Sequence, residues 1–92
     1  MDNREKMEMM DKFIRELEDL TNSQTSVLKK IGQIEAENIN LGNKVLEKRL
    51  PDIYEHAEQT LTEATTLQTE FTEARDKFVK DNKLDVVEEP AE

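Results

Sequence analysis

Apolar residues recur three and four positions apart along the first half of this chain without a slip. With a positions at Met10, Leu17, Gln24, Ile31, Asn38 and Val45 and d positions at Phe13, Leu20, Val27, Ile34 and Leu41, nine of the eleven seam positions are apolar. Only an α-helix returns side chains to one face at that period, so the pattern predicts a long helix lying against another helix. The flanking positions are mostly charged or polar, which favours a narrow coiled-coil seam over the broader face of a bundle helix. Thr21-Asn22-Ser23-Gln24-Thr25-Ser26 are poor helix formers. The heptad phase nevertheless continues across them, and a loop has no reason to keep phase. One helix is expected from about Glu5 to about Arg49, weakest near Asn22. Gly32 and Gly42 lie off the seam and destabilise it by roughly 1 kcal/mol each relative to Ala.

Composition agrees with a seam rather than a thick core. Hydrophobic residues make up 35% of the 92-residue chain and charged residues 38%, with two Gly, two Pro, no Trp and no Cys. Without Cys there is no disulfide framework and no thiolate metal site. No apolar run approaches the roughly 18 residues that span a bilayer. Met1-Asp2-Asn3-Arg4-Glu5-Lys6 is charged and no apolar stretch follows it, unlike a secretory signal. The expectation is a soluble intracellular protein, cytoplasmic, with no membrane insertion. A net charge of −9 argues against nucleic acid, whose phosphates need clustered Lys and Arg. Basic and acidic residues number four and seven in 1–20, five and three in 21–50, and three and seven in 51–80. The middle is the basic stretch.

Leu50-Pro51-Asp52 is the main punctuation. Proline lacks the N–H that a helix interior uses, and it suits the first turn of a new helix. The apolar phase changes there too. A second stripe runs through Ile53, Ala57, Leu61, Ala64, Leu67, Phe71, Ala74 and Phe78. The expected organisation is a heptad-bearing helix over 1–50, a second amphipathic helix over 51–80, and a disordered acidic tail over 81–92. Six Thr between Thr60 and Thr72 weaken the second helix on its own, because β-branched side chains lose rotamer freedom. It therefore needs packing, and the short connection favours an antiparallel neighbour. The acidic second helix would then lie along the basic middle of the chain. The fold expected is all-α: an antiparallel α-hairpin that oligomerises, with a kinked rod as the alternative.

A second helix starting at Asp52 would reach back only to about Leu20. Met7, Met10, Phe13 and Leu17 would then lack an intrachain partner, and such an uncovered stripe marks a protein contact. Met7, Met9 and Met10 add adaptable packing. Gln24 and Asn38 are polar residues at a positions, where a buried amide can set register and strand number with a partner chain. On that reading Asn38→Leu scrambles the oligomeric state. His56 is the only His and is expected to be a solvated residue near a helix start. No nucleophile constellation, metal-ligand cluster or phosphate loop accompanies it, so no enzyme activity, cofactor or small-molecule substrate is expected.

Two short segments resemble known signals. Leu84-Asp85-Val86-Val87-Glu88-Glu89 resembles a SUMO-interacting motif, which binds by adding a strand to a sheet edge. Tyr54-Glu55-His56-Ala57-Glu58 resembles the Tyr-x-x-x-Asp/Glu export signal of type VII secreted helical hairpins. In that family the signal follows the second helix and a Trp-x-Gly turn joins the two. Here the Tyr opens the second helix and there is no Trp, which counts against membership.

The functional expectation is a non-enzymatic coiled-coil interaction subunit, a structural or adaptor component of a homomeric or heteromeric helical complex. It would bind protein through the seam Met10, Phe13, Leu17, Leu20, Val27, Ile31, Ile34, Leu41 and Val45. The alternative is an acidic helical inhibitor or secretion-type chaperone that covers a basic or apolar partner surface. The basic middle of the chain breaks the continuous acidic face that such a mimic would need.

Overall fold

The computed structural model describes residues 1–85. Helix α1 spans Asn3–Leu41 and helix α2 spans Lys44–Asp81. They fold back on one another as an antiparallel hairpin, a rod of 74 × 19 × 18 Å. No strand occurs among the described residues, and no helix there is long and apolar enough to cross a membrane.

Each helix starts on a side chain that fits the role. Asp2 caps α1, its carboxylate accepting from the Glu5 amide at 2.8 Å. Asn43 caps α2, its Oδ1 accepting from the Val45 and Leu46 amides at 3.0 and 3.1 Å. The Thr21–Ser26 stretch stays helical. Thr21, Thr25 and Ser26 turn their hydroxyls onto the carbonyls of Leu17, Thr21 and Asn22, four residues back, so these side chains do not compete with the helix for its amides.

The break lies at Gly42-Asn43, not at Pro51. Helix α1 therefore ends at Leu41 rather than near Arg49, and α2 begins at Lys44 rather than Asp52. Gly42 takes the left-handed conformation (φ 69°) that ends helices and that L side chains adopt at a penalty, and its amide donates to Asn38 O. Asn43 then starts the next helix at once. Pro51 sits inside α2. Its missing N–H leaves the Glu47 carbonyl without a helical donor, but Glu47 is exposed and water can serve it. The helix persists across the proline because residues on both sides of it are anchored. Leu50 and Ala57 are buried together with Ile31, and Leu28, Ile34 and Leu46 pack on that cluster.

Because α2 is a full turn-to-end partner, it runs the whole length of α1. Asn3 Nδ2 donates to Asn82 Oδ1 at 2.9 Å at the open end. The expectation that Met7, Met10, Phe13 and Leu17 lack an intrachain partner is corrected accordingly. Met7, Met10 and Leu17 are half-buried, and the Phe13 ring lies 6.3 Å from that of Phe71. The start of the expected tail is also ordered. Residues 82–85 form a turn in which the Leu84 amide donates to Val79 O, and Leu84 is half-buried. The rest of the tail, and with it most of the Leu84–Glu89 segment, lies outside the described residues.

The interior is one layer thick. Ile31, Leu50, Ala57, Ala64 and Val79 are its buried apolar residues, and no described side chain is wholly enclosed. Every buried side-chain nitrogen or oxygen among the described residues has a partner.

Candidate interaction surface

The heptad frame read from sequence divides into two faces. Its a positions point at α2: Ile31 and Asn38 are buried, and Met10, Leu17 and Gln24 are half-buried. Its d positions largely point away. Phe13, Leu20 and Val27 are 42%, 47% and 44% exposed, Leu41 more so, and only Ile34 is half-buried. Val45 falls beyond the turn, in the first turn of α2, and is exposed. The inward face is completed by Met7, Ile14, Thr21 and Leu28, one step round the helix. These residues repeat at seven as well, so a second heptad phase was present in the sequence beside the first.

Helix α2 divides in the same way. Ala57 and Ala64 are buried, and Leu61, Phe71 and Phe78 are half-buried against α1. Leu46, Leu50 and Val79 join them, outside the stripe that the sequence pattern marks. Ile53 and Leu67 are 49% and 48% exposed, and Ala74 is exposed as well. Residues 53, 60, 67 and 74 are heptad-spaced, a second outward stripe with Thr60 among its rungs.

The two outward stripes share one side of the hairpin. Phe13 and Leu20 from α1 and Leu67 and Phe71 from α2 line a single shallow groove, with Glu16 on its rim and Leu17 at its floor. A second groove continues it to the open end through Met9, Met10, Phe13 and Phe71, reaching Met1 and Lys6. The outcome is a mostly apolar strip built from both helices. Two further depressions, along Thr65–Glu73 and Glu58–Glu63, are shallow and lined by threonine, glutamine and glutamate.

Polar groups between the helices fix how that strip is assembled. Gln24 Nε2 donates to the Ala57 carbonyl at 3.0 Å. Asn38 Nδ2 donates to the Asn43 carbonyl at 3.0 Å, and Asn38 Oδ1 accepts from the Asn43 amide at 2.9 Å. Both amides expected to set register with a partner chain are thus engaged inside their own chain. There they set the register of α2 on α1. Thr21 Oγ1 lies within reach of two acceptors, Leu17 O and Gln68 Oε1. One hydroxyl proton serves one acceptor well; with the Gln68 amide turned end for end, its Nε2 donates to Thr21 and both contacts are satisfied.

Near the open end the Arg75 guanidinium donates to Asp11, Nε to Oδ1 at 2.7 Å and Nη2 to Oδ2 at 3.4 Å. Hydrogen bonding to Asp11, reinforced by Asp76, holds the arginine above its usual pKa despite partial desolvation. Nothing in a heptad pattern pairs residues 64 positions apart, so the sequence carries no local signal of this pair. His56 is exposed near the middle of the rod. Among the described residues no three His, Cys, Asp or Glu side chains converge as a metal site would require. Comparison with family models, with curated proteins and with solved structures finds no match.

Proposed function

We propose that the chain is a non-enzymatic interaction subunit that binds protein by helix packing, as a structural or adaptor component of a helical complex. The observation that carries this reading is the outward double stripe: Phe13, Leu20 and Val27 at heptad spacing on α1 and Ile53 and Leu67 on α2, all close to half-exposed, with Phe13, Leu20 and Leu67 lining one groove. Single exposed apolar residues are ordinary on any protein surface. A contiguous row at coiled-coil pitch is not, because water penalises it until another apolar surface covers it. The one-layer interior points the same way. A second layer would enclose Leu17 and Phe71, which now floor and line the groove.

Site-specific photo-crosslinking in cells expressing the full chain tests the reading. A photoreactive phenylalanine analogue replacing Leu20 or Leu67 should give protein adducts, and the same analogue replacing Thr62, on the polar side of α2, should not. Absence of any adduct at both apolar positions, in a chain whose circular dichroism remains helical, would reject the proposal.

A further inference from the structure

We propose that the apolar strip is covered by a second copy of this chain turned end for end, giving a two-fold antiparallel four-helix bundle with Val27 and Thr60 beside the axis. This rests on the interaction reading above and names the partner.

The first argument is self-complementarity. A two-fold interface sets each patch against itself, so residue i meets j and j meets i. On α1 the exposed Phe13 and Leu41 are placed symmetrically about Val27. Reversing a copy about that point sets Phe13 against Leu41 and Val27 against itself, and lays Leu20 over Ile34, which is half-buried against the Ile31, Leu50 and Ala57 cluster and keeps only part of its surface outside. On α2, Ile53 and Leu67 are placed symmetrically about Thr60, so the same reversal sets Ile53 against Leu67. One axis can serve both stripes only if their centres lie at one level in the hairpin, and they do to within about a helical turn. The helices are tied together by Asp11 with Arg75, Phe13 with Phe71, and Gln24 with Ala57, and counting from these ties toward the turn sets Val27 level with residues 54–59, centred about three residues from Thr60.

The second argument is area. Phe13, Leu20, Val27, Ile53 and Leu67, each between 42% and 49% exposed, together leave roughly 400 Å² of surface in water, so two copies that cover all of it remove roughly 800 Å² of mainly apolar surface. That is the apolar content of an interface of about 1,200 Å², the lower bound for a stable specific complex. Leu41 and the half-exposed Phe71 add to it.

The third argument is charge, and it selects the direction. Residues 1–20 and 66–85, at the open end, carry twelve acidic and eight basic side chains; residues 28–57, toward the turn, carry five of each. Packing like end on like end would stack two negative ends. Reversal sets each negative end over a neutral one, and like-charge juxtaposition is the stronger discriminator between packings.

Light scattering and cysteine cross-linking of the full chain test this together. The native sequence has no Cys, so each introduced thiol reports alone. The unmodified chain should scatter as twice the 10.7 kDa of one chain. Val27→Cys and, independently, Thr60→Cys should oxidise to disulfide-linked dimers, because only positions beside the axis meet their own copies. Leu20→Cys alone should not, while a mixture of Phe13→Cys and Leu41→Cys chains should give the mixed dimer. A single-chain mass at about 100 µM, where even a micromolar complex would form, overturns the inference. So does cross-linking of Leu20→Cys as readily as Val27→Cys, or of neither Val27→Cys nor Thr60→Cys. A helical monomer that still gives photo-adducts with another protein at Leu20 removes the second copy and leaves the interaction reading standing; a helical monomer with no adducts removes both.

Discussion

Asn38, on the last turns of α1, grips both backbone polar groups of Asn43 across the turn, donating to its carbonyl at 3.0 Å and accepting from its amide at 2.9 Å. Asn38 is only 5% exposed, and its own carbonyl accepts from the Gly42 amide. One side chain therefore closes the hairpin and holds the backbone of Asn43, whose own side chain caps the second helix. Asn38→Ala or Asn38→Leu should destabilise the chain by about 1–2 kcal/mol through the lost pair, lowering Tm by roughly 4–8 °C per kcal/mol in a domain of this size. The oligomeric mass should not change, in contrast to the scrambling expected of a register residue between chains. Calorimetry and light scattering on the same samples separate the two outcomes.

Asn38→Asp should be worse than Asn38→Ala at neutral pH. The carboxylate keeps the acceptor for the Asn43 amide but sets a negative oxygen against the Asn43 carbonyl. Burial and that carbonyl both disfavour the ionised form, so the variant's folded-state carboxyl should titrate above its unfolded value. The folded state then binds more protons than the unfolded state, and stability falls as pH rises through that range. A variant that gains stability on acidification relative to the unmodified chain agrees; parallel pH profiles do not.

The two glycines should respond with opposite sign. A Cβ at either meets no neighbouring atom within 4 Å, so packing does not decide. Gly32 lies inside α1, where Ala is the better helix former, and Gly32→Ala should stabilise by about 0.5–1 kcal/mol. Gly42 has φ 69°, and Gly42→Ala should destabilise by about 1–2 kcal/mol. Urea unfolding of both variants checks the pair.

Pro51→Ala should restore a donor to the Glu47 carbonyl and remove the proline's clash within α2. The gain is part of the roughly 3 kcal/mol by which proline disfavours a helix interior, reduced by up to about 1 kcal/mol because the unfolded chain becomes less restricted. A rise in Tm is expected. A fall would mean that α2 depends on a proline bend at that point.

The Asp11–Arg75 pair joins the helices with side chains 35% and 27% exposed. Screening at that exposure limits its worth to about 0.2–1 kcal/mol, so Asp11→Asn should lower Tm slightly, and less in high salt. Arginine titrates above the range in which the protein would be handled, and its raised pKa moves it further away. Stability from Arg75 is present below that range and lost only far above it, so no pH dependence between 5 and 9 should come from this group.

The helical class and the hairpin were legible in sequence, because an unbroken apolar period leaves few alternatives. The faces were harder to read. Met7, Ile14 and Leu28 repeat at seven beside Met10, Leu17 and Ile31, so two overlapping heptad frames share one helix, and only packing shows which frame meets α2. Pro51 is the stronger break signal in isolation, yet the turn lies at Gly42-Asn43. Gly42 followed by Asn43 joins a left-handed helix end to a helix cap in two residues, and the cluster of Ile31, Leu50 and Ala57 holds α2 together across the proline. The Asp11–Arg75 pair had no local signal at all.

A molecule 74 Å long and 19 Å across tumbles and diffuses as an elongated particle. Its radius of gyration is 20.7 Å, against about 12 Å for a globule of the same chain length. On a sieving column such a particle is excluded from pores that admit a compact protein of equal weight, so it elutes early and mimics an assembly. Slender proportions of this kind also hold the turn and the open end of the hairpin some tens of ångströms apart, near the full 74 Å of the rod.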